Sequence, residues 1–477
     1  MACLFRLAVA AVVGLEAIAS PYCVARADGD SALRDAARAA TRQATRYYAE
    51  TVASHGGYVY FYNADDLSQR WGEGAATVDM AFVQPPGTPT VGDAYLEAFA
   101  AAGEVEFLDA ARATGQCLID GQLQSGGWAQ VIHFTPARRM GAYRTRAGGR
   151  MNNSSLDDGQ SQAALQFLMR LDKALEFDDA AVHEAVAYGL DALLAAQFAN
   201  GGFPQVWTGP APAQPVLPAS YPDYDWRTER RVKDYWNYYT LNDGVAGTVA
   251  ETLIVAHEIY GEGRHLAALR KLGDFLVLAQ MPAPQPAWCQ QYNYQMHPMW
   301  ARKFEPPAIA GHESQDAMRA LLTIASYTGD ERYVKPIPAA LEYFRTQCML
   351  PNGKLARFYE LQTNRPLYMD GEYRLAYDAE SAPSHYGWQQ TPRLESLGRA
   401  CDAVARGESL PRSPRRRVTA ADVQRIIAAL DDDGRWVSTY DGEGLVGQPK
   451  FARGFRYLSS QVFATNLTKL ARFVAGD

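Results

Sequence analysis

The sequence predicts an all-α fold, an α/α toroid of about six helical hairpins with long loops on one rim, and three observations lead there. The first is a turn that recurs along the 477 residues, fullest at Gln197-Phe198-Ala199-Asn200-Gly201-Gly202-Phe203-Pro204-Gln205. Related stretches stand at Ser54-His55-Gly56-Gly57-Tyr58, Gln122 to Gln130, Gln280 to Trp288, Gln347 to Gly353 and Asp432-Asp433-Gly434-Arg435-Trp436. The second is that each turn follows an apolar stretch of helical period and precedes an irregular loop that ends in another such stretch. The third is spacing: the better-preserved turns lie about 70 to 80 residues apart, room for a helix, a loop and a helix. One hairpin cannot bury its apolar stripe alone, so hairpins of this kind stack or close into a ring. The turns then share one rim, which becomes a cleft, and no extended sheet is expected.

Taken in order, Ala32 to Ser54 and Val91 to Ala102 form the first pair, and Glu104 to Leu123 with Gln160 to Leu175 the second. Ala180 to Phe198 and Gly244 to Tyr260 make the third, His265 to Ala279 and Ser314 to Tyr327 the fourth. Arg332 to Gln347 with His385 to Ala405 is the fifth; a basic link, Pro411 to Arg417, leads to the sixth, Ala420 to Leu430 with Tyr457 to Val474. Residues 28–477 are read as a single domain, with 411–477 as a candidate peripheral hairpin. At the N-terminus, Arg6, the apolar run Leu7 to Leu15 and small-residue sites near Ala19 and Ala27 read as a signal peptide over residues 1–27. The expectation is a secreted or periplasmic protein, monomeric and without a membrane span. Cys117, Cys289, Cys348 and Cys401 lack metal spacing and read as buried thiols. A net charge of −7 argues against a nucleic-acid partner.

Acidic residues recur where second helices begin: Leu156-Asp157-Asp158-Gly159, Leu241-Asn242-Asp243-Gly244 and His312-Glu313-Ser314. Each alone reads as a helix cap worth about 1 kcal/mol. Three on one rim read as oxygen ligands for a hard cation such as calcium, with Asp157 and Asp243 approaching across the cleft. Basic residues recur in two later loops, in Trp300-Ala301-Arg302-Lys303-Phe304-Glu305 and in Arg357-Phe358-Tyr359-Glu360 with Arg365. An arginine, an aromatic and a glutamate in succession read as a loop-anchoring ion pair or as a two-pronged carboxylate clamp. The insertion Pro210 to Tyr239 carries Trp226, Tyr235 and Trp236, aromatics that either cover the core or stack on sugar rings. Together these suit an anionic polysaccharide.

At these residues the chain resembles the pectate lyases of polysaccharide lyase family ten. The resemblance is carried by Asn200-Gly201-Gly202-Phe203-Pro204-Gln205, Leu241-Asn242-Asp243, and Trp288-Cys289-Gln290-Gln291-Tyr292 with Pro298 and the Trp300 to Pro307 stretch, and it runs from the second unit to Tyr386-Gly387-Trp388. It implies an α-helical toroid-like fold and calcium-assisted β-elimination of polygalacturonate, with Asp157 and Asp243 at calcium and an arginine as base. Arg302, Arg357, Arg365 and Arg374 are the catalytic candidates, and Trp300, Glu305, Tyr359, Trp226 and Trp236 the substrate-binding ones. After Arg365-Pro366 the family has an arginine followed by aspartate, where this chain has Gly371; Arg374 is the arginine expected to reach the same point. Two other readings stand beside the lyase: a non-catalytic binder of acidic polysaccharide, and a toroidal glycoside hydrolase. The hydrolase needs two carboxylates about 5 Å apart if retaining, or about 6.5 to 9.5 Å if inverting.

Overall fold

The computed structural model describes residues 21–229, 231–380, 382–410 and 417–476. Most of the expected signal peptide and residues 411–416 of the basic link therefore lie outside the described residues. Six outer helices alternate with six inner ones, as the repeat predicts. The pairs are α1 (Pro21–Tyr47) with α2 (Thr88–Ala102), α3 (Val105–Gly121) with α4 (Gln160–Ala174), and α5 (Ala180–Ala195) with α6 (Val245–Tyr260). They continue with α7 (Gly263–Leu278) and α8 (Gly311–Thr328), α9 (Ile337–Tyr343) and α10 (Leu394–Ala405), and α11 (Ala420–Ala428) and α12 (Ser460–Ala475). Neighbouring inner helices pack in the order α12, α2, α4, α6, α8, α10, so the last hairpin docks on the first.

Several helix boundaries differ from the sequence expectation. The helix expected from His385 starts at Leu394, because Pro392 disfavours helix just before it and Gln389–Gln390 pairs as a strand with Leu355–Ala356. The outer helices α1 and α9 end in wider π turns, Tyr48–Val52 and Phe344–Cys348. The expected absence of extended sheet also needs correction. Short strands join the rim loops, and the largest sheet has five of them, pairing Phe61–Asn63 of the first unit with Arg456–Ser459 of the sixth. Loops of this length carry many backbone donors, and crossing between units satisfies them.

The glycine turn explains how units lock together. Gly201 has φ 93°, and a Cβ there would lie 1.8 Å from the Lys271 carbonyl oxygen of α7, so the turn needs glycine both for its conformation and for contact with the next outer helix. The glutamine before the second, third and fourth turns bonds across the same contact. Gln122 Nε2 donates to the Gly126 and Ala185 carbonyls, both at 2.9 Å. Gln197 Nε2 donates to Gly201 at 3.0 Å and Ala268 at 2.9 Å, and Gln280 Nε2 to Pro286 at 3.0 Å and Pro336 at 2.9 Å. On the rim, a residue leading into the inner helices α2, α4, α6 and α8 donates its N–H to the following unit's turn: Val83 to Gln130, Leu156 to Gln205, Leu241 to Gln290, and Gly311 to Arg357. Ser460 donates likewise to Tyr60, carrying the pattern from the sixth unit to the first. Cys117, Cys289, Cys348 and Cys401 are buried free thiols, as expected.

Gln197→Leu keeps the volume but leaves two carbonyls without their donor. It is expected to destabilise the fold by about 1–3 kcal/mol per abandoned carbonyl in urea unfolding. A loss below about 0.5 kcal/mol would mean the glutamine bridges do not hold the units in register.

Candidate active site

Two rim turns of identical geometry place the acids. In each, Leu-Asx-Asp-Gly precedes an inner helix; Asp158 at φ 44° and Asp243 at φ 52° occupy the same place, each followed by a left-handed glycine, Gly159 or Gly244, at the N-cap. Neither aspartate caps its helix, since no side-chain cap bond forms at either N-terminus. The capping explanation therefore falls, and the carboxylates point elsewhere. One oxygen each of Asp157, Asp158 and Asp243 lies within 4.8 Å of the others. The sequence expectation joined Asp157 to Asp243; the structure adds Asp158, which superposing the two Leu-Asx-Asp-Gly turns would have revealed.

Crowding these acids has an electrostatic cost. Asp243 is pushed well above the carboxylate range, by burial first and then by the Asp157 and Asp158 carboxyls, with Arg302 opposing. Asp158 is pushed up to about 6 by loss of solvent and then by Asp157 and Glu73, again against Arg302. Amides surround them: Gln205 Nε2 is 3.2 Å from Asp243 Oδ2, and Asn242 Nδ2 is 2.5 Å from the same oxygen. Gln84 Nε2 reaches Asp158 Oδ2 at 3.1 Å and Glu73 Oε1 at 2.9 Å. The side-chain amide oxygens of Gln205 and Asn242 are buried with no hydrogen-bond partner. Repelling carboxylates and unsatisfied amide oxygens form an all-oxygen donor set, which fits a hard cation such as calcium.

The cationic side comes from the fourth and fifth units. Arg302 Nη2 lies 2.5 Å from Glu305 Oε1, and its Nε 2.8 Å from Oε2. Tyr386 donates its hydroxyl to Glu305 Oε1 at 3.0 Å and carries the Arg357 guanidinium 4.7 Å from its ring centre. Arg357 Nη2 in turn meets Glu313 Oε1 at 2.6 Å. Glu313, expected as a third acid of the cation site, is thus a buried counter-ion; its other oxygen and Arg357 Nε have no partner. Burial pulls both arginines down, but Glu305 and Glu313 outweigh it and hold each guanidinium above its ordinary value. Glu305 is kept ionised: burial raises it, and its hydrogen bonds and ion pair with Arg302 lower it further than that.

Several expected residues stand elsewhere. Arg374 does not reach the cleft; its side chain is 63% exposed and pairs with Asp370 at 2.7 Å and Glu372 at 3.1 Å inside its own hairpin. A carboxylate on each side of it satisfies the guanidinium locally. Arg365 is exposed and lies over the Tyr377 ring at 3.5 Å. Trp300 and Trp226 are buried against each other, the Trp300 indole donating to the Trp226 carbonyl at 2.7 Å, so they anchor the insertion and offer no face to a sugar. Tyr359 is likewise core, its hydroxyl on the Cys348 carbonyl at 2.6 Å. Trp236 is half-buried, and its carbonyl takes the Gln205 N–H at 2.9 Å. The three aspartates are crowded into one mutually repelling cluster, and Glu313 is tied to Arg357 as its counter-ion.

A family 10 polysaccharide lyase from Cellvibrio cellulosa is 18% identical, over 66% of this chain and 97% of that one, with a TM-score of 0.46. A mutant of a Cellvibrio cellulosa family 10 lyase in complex with trigalacturonic acid is 17% identical over 66% and 98%, also at 0.46. A D-mannose isomerase is 12% identical over 92% and 97%, at 0.45. No curated protein matches the sequence significantly. The sequence profile of the pectic acid lyases matches residues 122–390, more than half of the chain and all of the site's acids and arginines except Glu73, and the chain therefore belongs to the pectic acid lyase family.

Proposed function

We propose that the protein is an exported, calcium-dependent pectate lyase that cleaves polygalacturonate, or a closely related polyuronate, by β-elimination. The observation that carries this reading is the meeting of three mutually repelling aspartates with Arg302 and Arg357 on one rim of the toroid. Asp157, Asp158 and Asp243 would hold calcium, which when bound supplies positive charge to the uronate carboxylate and so acidifies the proton at C5. Arg357, held by Glu313, clamps that carboxylate from the other side. Arg302, the more open of the two guanidiniums at 40% side-chain exposure against 16%, takes the base role first assigned to Arg374. The apolar run and small-residue sites in residues 1–27 support export. No helix among the described residues is long and apolar enough to cross a membrane.

Arg302 begins as a cation, because Glu305 outweighs burial and raises it, so it must lose a proton before it can accept one from C5. Turnover should therefore increase as pH rises into the alkaline range. Glu305→Gln keeps the shape but removes the charge that raises Arg302, and its rising limb should lie at lower pH. Arg302→Ala should lower turnover by about 10²- to 10⁴-fold, read as ultraviolet absorbance of unsaturated product. Wild-type protein that binds oligogalacturonate yet yields no such product at any pH would establish the non-catalytic binder instead.

The acids set a second dependence. Asp158 and Asp243 titrate above the unfolded value of 3.8, so the folded state binds more protons than the unfolded one over that interval. Cation-free protein accordingly loses stability as pH rises from about 4 through 6 and beyond. Calcium at about 100 times its dissociation constant should return about 2.7 kcal/mol at pH 7, seen as a rise in Tm. Asp243→Asn should raise the Tm in chelator and remove most of the calcium increment; a calcium increment equal to wild type would place the cation elsewhere.

A further inference from the structure

β-Elimination needs a proton donor as well as a base. In a 4-linked α-galacturonan chair, H5 and O4 project from opposite faces of the ring, so the group that takes H5 is badly placed to protonate the departing O4. Tyr235 meets the requirement. It sits in a short helical turn, Tyr235–Asn237, at the end of the long third-unit insertion. Two bonds fix that turn onto the site: Gln291 Nε2 donates to the Tyr235 carbonyl at 2.7 Å, and the Gln205 N–H donates to the Trp236 carbonyl at 2.9 Å. Gln205 is the residue whose side chain touches Asp243, so the turn is pinned directly to the acid cluster.

The phenol of Tyr235 is half-buried and stands in the fields of Arg302, Glu305, Asp157 and Asp243. Among the described residues its hydroxyl has no hydrogen-bond partner, unlike that of Tyr386, which Glu305 occupies. An unengaged O–H within reach of the charges of both Arg302 and the acid cluster is a donor without a structural task. Burial raises its pKa, as do the nearby carboxylates, against Arg302, which keeps it protonated and suits it to giving a proton.

We propose that Tyr235 is the general acid of the elimination, protonating the leaving O4. The step balances: Arg302 takes the C5 proton, the C5–H electron pair becomes the C4=C5 double bond, the C4–O4 bond breaks, and O4 receives the phenolic proton. The phenolate regains a proton from water, and Arg302 releases one to it.

This assignment rests on the lyase reading, and two substrates separate the two. Polygalacturonate has a poor sugar-alkoxide leaving group; a galacturonide carrying 4-nitrophenol at O4 has one that departs without a proton. Tyr235→Phe removes only the unpartnered hydroxyl. It is expected to lower kcat on polygalacturonate by about 10²-fold or more, with KM changed less than about threefold, and to leave the nitrophenyl substrate within about threefold of wild type. Unchanged kcat on the polymer, or an equal loss on both substrates, overturns Tyr235 as the acid while leaving the lyase reading intact. Wild type that forms no unsaturated product from either substrate overturns the lyase reading and this assignment with it.

Discussion

Everything at the rim depends on hydrogen bonds that cross from one hairpin to the next. Apolar packing alone lets neighbouring hairpins slide, because burial is indifferent to direction. A carbonyl abandoned by its donor is not indifferent, and at each junction from the second unit to the fifth one glutamine amide serves two of them, one in its own turn and one at the next outer helix. The rim N–H to carbonyl bonds add a second fixed point per junction. Two fixed points set both the spacing and the rotation of a unit, and so decide that Asp158 of the second unit and Asp243 of the third face one another.

The architecture was legible because it is repetitive. The Gly201-Gly202 turn, the helical period on both sides and the spacing between copies made the number and order of helices readable, and even Asp157 and Asp243 could be paired across 86 positions. What was not legible depended on where single side chains turn. Arg374 lies near the right place in sequence, but Asp370 and Glu372 in its own hairpin satisfy it first. Trp300, Trp226 and Tyr359 look like a sugar platform in a list of residues; Trp300 and Tyr359 each donate to a buried carbonyl, Trp300 to that of Trp226, and that keeps all three in the core. The strands at the rim were missed because stretches of two to four residues carry no period to read.

The site balances two opposite electrostatic burdens. On one side, aspartates lie closer together than they can all ionise freely; on the other, each guanidinium is matched by its own buried glutamate. The arginines are thereby prevented from collapsing onto the aspartates, which would neutralise both sets and leave nothing for a ligand. Glu305 and Glu313 act as spacers as much as counter-ions: they hold positive charge beside the acids without letting it be spent there.

Gln84 shows how the chain beyond the family's own segment enters this balance. Its amide hydrogens go to Glu73 and Asp158, and its oxygen receives Gln130 and Gln160. Four bonds through one carboxamide leave it no freedom to rotate, and reversing the amide would turn an oxygen toward two carboxylates. A glutamate there would bring a further negative charge to the crowded edge, and a methionine would leave Glu73 and Asp158 bare toward each other. The first hairpin, which stands outside the segment shared with the pectic acid lyases, is in this way wired to the charge of the cluster by a neutral side chain, and a change far out on that hairpin has a direct route to the acids.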